Sequence, residues 1–147
     1  MDIISPLLAE LRSESIMQLV LAIILGGAIG SEREYRSRPA GLRTMILVCM
    51  GATLIMIVSG RIGGLSGSLP NTTTIRIDPG RIAAGIVTGV GFLGAGVVLK
   101  LSDLIRGVTT AATIWFVAAL GICIGMKHYS LAVISTFLSL VVLLLFN

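Results

Sequence analysis

The stretch DPGRIAAGIVTGVGFLGAGVVLK, which runs from Asp78 to Lys100, decides how the rest of the chain is interpreted. Asp78 can cap a helix, and Pro79 suits the first helical position, where a backbone N–H is not needed. From Ile82 to Leu99 no side chain is ionisable, so this run is long enough to cross a bilayer core of about 30 Å. The stretch therefore predicts a membrane-spanning helix.

Five glycines lie inside this apolar run and leave more than one of its sides without bulk. Gly85 and Gly89 form a GxxxG pair, and Gly96 falls on the same face two turns later. Gly91 and Gly94 lie on a different face. Because small residues let neighbouring helices approach closely, we expect several helices to pack around this one. The pattern places the helix at the centre of a bundle.

The composition is that of an integral membrane protein. The chain has 147 residues, a mean hydropathy of +1.02, 55% hydrophobic residues and 12% charged residues, which is about half the charged fraction of a soluble domain. The net charge of +4 comes from basic residues in short loops, where arginine sets topology and contacts lipid headgroups. We therefore expect contact with membrane lipid and no binding to nucleic acid.

The predicted fold is an all-α bundle of five transmembrane helices, forming a single domain over residues 1–147. Residues 1–12 are interpreted as a short amphipathic helix at the membrane interface. Five spans put the two termini on opposite sides of the membrane. The spans are predicted at about residues 16–30, 44–60, 82–99, 108–126 and 129–146.

The orientation rests on one compact loop, residues 31–43, which carries four arginines. Counted over all loops, one side of the membrane has six basic residues and the other has five, which decides nothing. The four-arginine loop nevertheless favours its own side as cytoplasmic, with the N-terminus outside and the C-terminus inside.

Carboxylates near this loop are the candidate ligands for a cation. Glu32 and Glu34 would attract a hard cation such as Mg²⁺, which prefers oxygen ligands, and Asp103 belongs to the same end of the bundle. The alternative is ion pairing of these carboxylates with Arg33 and Arg43, which would fix the first hairpin. We favour the alternative because two carboxylates are few for a metal site.

The opposite end is marked by Asp78 and Arg81, which form either a cation gate or a helix cap with a neutralising charge at i+3. The cap is the simpler account. Thr109, Thr110 and Thr113 enter the fourth span beside Arg106, and we expect their hydroxyl groups to bond back to their own helix rather than line a polar path.

The remaining reactive or bulky side chains are expected to pack. Trp115 lies well inside its span and is predicted to pack against the glycine faces of the third span. Cys49 and Cys123 are predicted to be small packing residues, since a metal site needs more ligands. The sequence holds no Ser–His–Asp set, phosphate loop or zinc spacing, so we expect no enzyme.

Three blocks taken together resemble the MgtC/SapB family of bacterial membrane proteins: GAIGSEREYRSRPAGLRTMILVCMGA (27–52), the 78–100 stretch, and IRGVTTAATIWFVAALGICIG (105–125). The resemblance implies five spans with the N-terminus outside and the C-terminus in the cytoplasm. Family-characteristic positions would fall at Glu32, Arg33, Arg38, Gly41, Arg43, Thr44, Asp78, Arg81, Gly91, Gly94, Gly96, Arg106, Gly107, Thr109 and Thr110.

The resemblance also implies a role, since the best-known family members are linked to growth in low magnesium, survival inside macrophages and restraint of the proton-translocating ATP synthase. Many members carry a cytoplasmic ACT-like domain after the fifth span. This sequence stops at Asn147, so we expect the membrane module alone.

Two functions are weighed on this basis. The first is a non-enzymatic membrane protein, dimeric or bound to another membrane protein, that modulates Mg²⁺-linked ion homeostasis through helix–helix contacts. Its glycine pairs are Gly26 with Gly30, Gly85 with Gly89, and Gly121 with Gly125. The second is a transporter or channel for Mg²⁺ or another cation, guided by Glu32, Glu34, Asp78 and Asp103. No cofactor is required by either, and Mg²⁺ is the ion that the carboxylates would suit. A lipid-binding bundle is a third, weaker hypothesis.

Overall fold

The computed structural model describes residues 13–66, 78–101 and 104–146, and within them the protein is a bundle of five helices. The helices are α1 (Ser13–Tyr35), α2 (Leu42–Ser66), α3 (Pro79–Val97), α4 (Val108–Gly125) and α5 (Tyr129–Leu145). A short antiparallel hairpin of β1 (Leu99–Leu101) and β2 (Leu104–Arg106) joins α3 to α4, with Leu99 opposite Arg106.

The predicted all-α membrane fold is confirmed. Helices α1 to α4 are each long and apolar enough to cross a membrane. Helix α5 has 17 residues and is a shorter apolar helix, about 25 Å long at a rise of 1.5 Å per residue. Helices α1 and α2 extend several residues beyond their predicted spans. The predicted N-terminal interfacial helix, residues 1–12, lies outside the described residues.

Helix α4, and not α3, is the central helix, so the prediction from the glycine pattern is wrong on this point. Of the four candidate spans, α4 has the largest buried share of its apolar window, 44%, whereas α3 has the smallest, 11%. Helix α4 packs against each of the other four helices. The glycines that mediate close helix approach lie on α1 and α4, and both sets face α2.

Helix α1 approaches α2 through Gly26 and Gly30. A Cβ atom on Gly26 would lie 2.9 Å from the Cβ of Cys49 and 3.0 Å from the backbone oxygen of Met45. A Cβ atom on Gly30 would lie 2.8 Å from the Cα of Leu42. These distances are too short for a real side chain, so both glycines are required by the packing, and Cys49 is a buried packing residue as predicted.

Helix α4 approaches the same helix through Gly121 and Gly125. A Cβ atom on Gly121 would collide with the backbone oxygen of Cys49, and one on Gly125 would lie 3.0 Å from the backbone oxygen of Thr53. The hydroxyl group of Thr53 donates to the backbone oxygens of Cys49 and Gly121, at 2.9 and 3.0 Å. Two of the three predicted GxxxG pairs therefore serve packing within one chain.

The third pair is left open. No atom lies within 4 Å of a Cβ atom built on Gly85, Gly89, Gly91 or Gly96 in the described part of the chain. Only Gly94 meets a neighbouring helix, at 3.6 Å from the Cβ of Ala111. The prediction that the small faces of the third span are covered by several helices is therefore wrong for the described chain, where only Gly94 of the five glycines meets another helix.

Trp115 is also placed differently from its prediction. Its side chain is 49% exposed and lines an apolar groove between α4 and α5, together with Phe116 and Leu138. Trp115 therefore does not pack against the glycine faces of α3, which no described residue covers.

Candidate functional site

A cavity of about 460 Å³ opens where the α1–α2 loop meets the beginning of α4. We call this the arginine end of the bundle, because three arginines line the cavity. The cavity brings together six of the residues that the sequence singles out, Arg33, Arg38, Arg106, Gly107, Thr109 and Thr110. Its other described lining residues are Ser37, Pro39 and Val108.

Arg33 is the buried charge of this site, with 3% of the residue exposed. Its Nη2 donates a hydrogen bond of 2.9 Å to the Oγ1 of Thr110, and its Nη1 lies 3.8 Å from the Oε2 of Glu32. Its Nε has no hydrogen-bond partner in the described residues. The guanidinium is therefore held in place while part of its donor capacity stays unused.

The two neighbouring carboxylates close the first hairpin. Glu32 approaches the Nε of Arg36 to 2.6 Å, in an alignment that forms an ion pair but not a hydrogen bond. Glu34 accepts a hydrogen bond of 2.8 Å from the backbone N–H of Leu42, at the beginning of α2. A Cβ atom on Gly41 would lie 2.9 Å from the Oε2 of Glu34, so a glycine there makes room for this cap. Glu32 is therefore ion-paired, with Arg36 as well as with Arg33, whereas Glu34 fixes the hairpin by a hydrogen bond and forms no ion pair with Arg43 among the described residues.

The first turn of α4 forms another wall of the cavity. Gly107 precedes the helix with a φ of 90° and offers no side-chain cap, and a Cβ atom there would collide with the backbone oxygen of Val97. Val108, Thr109 and Thr110 follow it and line the cavity. Because the first N–H groups of a helix have no partner inside the helix, this wall presents unpaired donors and the positive end of a helix dipole.

The opposite end holds a second polar cluster that sequence reasoning missed. Gln18 donates to the backbone oxygens of Ile124 and Gly125, at 2.8 and 3.1 Å, and so ties α1 to the end of α4. Lys127 approaches Glu14 to 2.7 Å across the same end. The sequence offers only a weak signal for this contact, a glutamine near the start of an apolar span.

The predicted cation ligands are spread over both ends. Glu32 and Glu34 lie at the arginine end, whereas Asp78 begins α3 at the opposite end and accepts a hydrogen bond of 2.8 Å from the backbone N–H of Gly80. Asp103 lies outside the described residues. Among the described residues no three His, Cys, Asp or Glu side chains are placed to hold a metal ion together. The cation site stays a prediction.

Other predicted residues lie apart from the cavity. Arg43 and Thr44 are exposed in the first turn of α2. Arg81 is exposed near the start of α3, and within the described residues it forms no ion pair with Asp78. The hydroxyl group of Thr113 bonds back to the backbone oxygen of Thr109, as predicted. The prediction is wrong for Thr109 and Thr110, which line the cavity and form no such bond among the described residues, because they lie in the first turn of α4 and face the end of α1.

The interior between the two polar ends is apolar. The largest fully buried side chains include Ile29, Met45, Ile114, Val117 and Leu120, each at most 2% exposed. A packed layer of this kind has no room for a strongly hydrated ion.

An open apolar groove of about 640 Å³ runs between α2 and α3. Gly85 and Gly89 form part of its wall, Leu47 and Ile55 of α2 lie across from them, and Arg81 stands at one end. The groove and the glycines Gly85, Gly89 and Gly96, which share one side of α3, together form an open surface, which we call the α3 face.

The apolar helices, four of them long enough to cross a membrane and several packed through glycine, define a multi-pass membrane protein. The sequence matches the MgtC family over residues 19–147, and the chain belongs to that family.

Several curated relatives are similar to this chain. "Putative magnesium transporter YhiD" of Escherichia coli K12 is 46% identical over 137 residues, which cover 93% of this chain and 62% of the relative. Protein MgtC of Salmonella typhimurium LT2 is 42% identical over 125 residues, covering 85% and 49%. An uncharacterised protein of Synechocystis, slr0014, is 43% identical over 129 residues, covering 88% and 50%. The chain thus spans about half to three-fifths of the length of these relatives. No solved structure matches it.

Proposed function

We propose that this chain is a non-enzymatic membrane protein of Mg²⁺-linked ion homeostasis that acts by helix–helix contact across the α3 face. The link to Mg²⁺ is supported by the name of the E. coli relative and by membership of the MgtC family. The contact is supported by one observation above all: Gly85, Gly89 and Gly96 share a face of α3 that no described residue covers. In a membrane, a stripe of small residues stabilises a helix pair by close backbone approach.

The occupant of this face is α3 of a second copy of the chain. In a two-fold symmetric pair the contacts are reciprocal: if one residue of the first copy contacts a second residue of the other copy, the same contact is repeated with the two copies exchanged. Asp78 and Arg81 are both exposed, three residues apart at the start of α3, so a symmetric pair sets the Arg81 of each copy beside the Asp78 of the other. The face is therefore complementary to itself in charge.

An exposed aromatic residue supports the same occupant. Phe92 is 81% exposed and lies one turn beyond Gly89 on the same side of α3. Large and small side chains alternate along this line, and the adjoining groove between α2 and α3 is apolar. A second α3 helix therefore finds room at the glycines and a surface to contact at Phe92.

The arginine end is proposed to face the cytoplasm, because the α1–α2 turn and its flanks concentrate Arg33, Arg36, Arg38 and Arg43. A green fluorescent protein fused after Asn147 tests this orientation. It should fluoresce in bacteria, since the fusion protein matures in the cytoplasm, and a dark fusion at normal expression would reverse the orientation.

Association in the membrane tests the contact. Full-length chains labelled with donor and acceptor dyes and reconstituted in vesicles should show energy transfer that falls on dilution with lipid. Gly89→Ile should weaken association by about tenfold, because bulk replaces the close approach. Gly91→Ile is the matched control: Gly91 has equally open space but faces another direction, so less than about a twofold change is expected.

The Mg²⁺ link is tested in a bacterium that lacks its own copy of the gene. The chain should restore growth when Mg²⁺ is limiting, Gly91→Ile should restore it too, and Gly89→Ile should not. Equal rescue by both variants, or energy transfer that neither changes, would contradict a role for the α3 face.

Transport of Mg²⁺ is the second candidate, favoured by the name of the E. coli relative alone. Vesicles that contain the chain and a Mg²⁺ indicator decide between the two. Flux that exceeds protein-free vesicles and falls in Glu32→Gln would establish transport. Absence of flux, with association intact, supports the contact function.

A further inference from the structure

We propose that the cavity at the arginine end is a binding site for a phosphate group, carried either by an anionic phospholipid or by free phosphate. The cavity lies at the opposite end of the bundle from the charged start of α3. Its role therefore does not depend on the pairing of two copies.

The lining of the cavity is positive. Among the described residues that line it are three arginines, Arg33, Arg38 and Arg106, and no carboxylate. The nearby carboxylate of Glu32 lies 3.8 Å from Arg33 but also contacts Arg36 at 2.6 Å, so it is shared between two guanidinium groups. Among the described residues around the cavity, arginines outnumber carboxylates, so the local charge attracts an anion.

The donors that remain unused are of the kind that bind phosphate. Arg33 is 97% buried and its Nε is unpartnered in the described residues. Thr110 is 2% exposed and accepts from Arg33, and no described group receives its own hydroxyl hydrogen. The side chain of Arg106 forms no hydrogen bond or ion pair with the described residues, and the residue is exposed. A buried donor without a partner is costly, so a ligand oxygen there would stabilise the fold.

The beginning of α4 completes the set of donors. Gly107 supplies no side-chain cap, and the residues of the first turn line the cavity. Helix N-termini bind phosphate through free N–H groups and the helix dipole, and guanidinium groups bind phosphate oxygens in a forked geometry. Here both kinds of donor meet at one cavity, together with a buried hydroxyl group.

The size and position fit a phosphate that is part of a headgroup or free in water. A volume of about 460 Å³ exceeds that of a bare ion. The cavity lies at the ends of spans, where lipid headgroups and water are both present. The shared chemistry is a tetrahedral oxyanion, and the experiment separates its two sources.

The test compares two arginine variants of the full-length chain in lipid nanodiscs. Arg106→Gln removes a cavity charge that has no partner in the described chain, so folding should be preserved. Arg43→Gln is the matched control, because Arg43 is also an exposed arginine at this end but does not line the cavity. Native mass spectrometry counts the phosphatidylglycerol retained from mixed nanodiscs, and calorimetry measures inorganic phosphate binding in phosphatidylcholine nanodiscs.

We expect Arg106→Gln to lower retention or affinity by about tenfold and Arg43→Gln to change it by less than about twofold. Retention of phosphatidylglycerol with this pattern identifies a lipid headgroup, and saturable binding of inorganic phosphate with this pattern identifies free phosphate. Absence of binding in both arms, or equal losses in the two variants, would overturn the proposal.

Discussion

Arg33 of α1 donates a hydrogen bond of 2.9 Å from its Nη2 to the Oγ1 of Thr110 on α4, although 77 residues separate them in the chain. Both side chains are buried, at 3% and 2% exposure. The bond ties the end of the first span to the beginning of the central helix, beside the turn at Gly107. It fixes one wall of the cavity with a charge-assisted contact.

Thr110→Val should lower the stability of the protein, because it removes the acceptor of a buried guanidinium and keeps the shape of the side chain. We expect a loss of about 1–2 kcal/mol in the free energy of unfolding. Thr109→Val, at the exposed neighbouring position, should change it by less than about 0.5 kcal/mol. Denaturant unfolding in mild detergent, followed by circular dichroism, measures both. Equal losses would show that the bond to Arg33 contributes nothing particular.

Glu34→Ala should weaken the first hairpin, since the backbone N–H of Leu42 loses its acceptor at the start of α2. The expected loss is about 0.5–1 kcal/mol, and Glu34→Gln should lose less because its amide oxygen still accepts. The same unfolding assay, repeated with added Mg²⁺, checks the competing interpretation. Stabilisation by Mg²⁺ that is present in the wild type and absent in Glu34→Gln would assign Glu34 to a cation site instead.

Gly121→Ala and Gly85→Ala should have opposite effects on stability. A methyl group at position 121 would collide with the backbone of α2 and lie 2.7 Å from the Cβ of Ala52, so we expect a loss of about 1–3 kcal/mol. At position 85 the space is open, and the better helix propensity of alanine should raise stability by up to about 1 kcal/mol. Thermal unfolding in detergent measures the pair, and a loss at position 85 as large as at 121 would contradict this packing.

Trp115 offers a direct optical check, since it is the one tryptophan of the sequence. Its half-exposed side chain lines the groove between α4 and α5, where lipid tails reach it. We expect lipids brominated on their acyl chains to quench its fluorescence strongly. Emission that such lipids leave unchanged would place the indole against another helix.

The class of the fold could be predicted from apolar runs, because a span must satisfy its backbone hydrogen bonds within itself whatever its neighbours are. The cap at Asp78 was likewise local, and it was predicted correctly from Pro79 and the run that follows. The presence of each helix and its approximate ends could therefore be predicted from the local sequence.

The arrangement of the helices could not be predicted in the same way. The glycines of α3 outnumber those of α4, yet Gly121 and Gly125 are the ones that another helix covers. A sequence shows that one face of a helix carries small side chains, but it does not show which face a neighbouring helix contacts. The contact of Gln18 with the end of α4 depends on the same tertiary choice, and no local spacing encodes it.

Sequence motifs identified most residues of the candidate site, but they did not predict that these residues line one cavity or which ligand the cavity suits. Arg33, Arg106 and Thr110 were singled out by motif, but their convergence on one cavity depends on the sharp turn at Gly107 and on the length of α1. Along the chain they belong to two separate helix ends, that of α1 and the beginning of α4. Only the packed bundle turns those ends into one positive cavity.

Disulfide trapping along α3 in native membranes tests the central claim most directly. Single cysteines are placed at successive positions from 82 to 96, in a chain in which Cys49 and Cys123 are replaced by alanine. The pairing of two copies predicts covalent dimers that peak at positions 85, 89 and 96 and are weakest at 87, 91 and 94, following the helical period. A flat profile, or maxima at positions 87 and 91, would contradict the pairing of two copies through the α3 face.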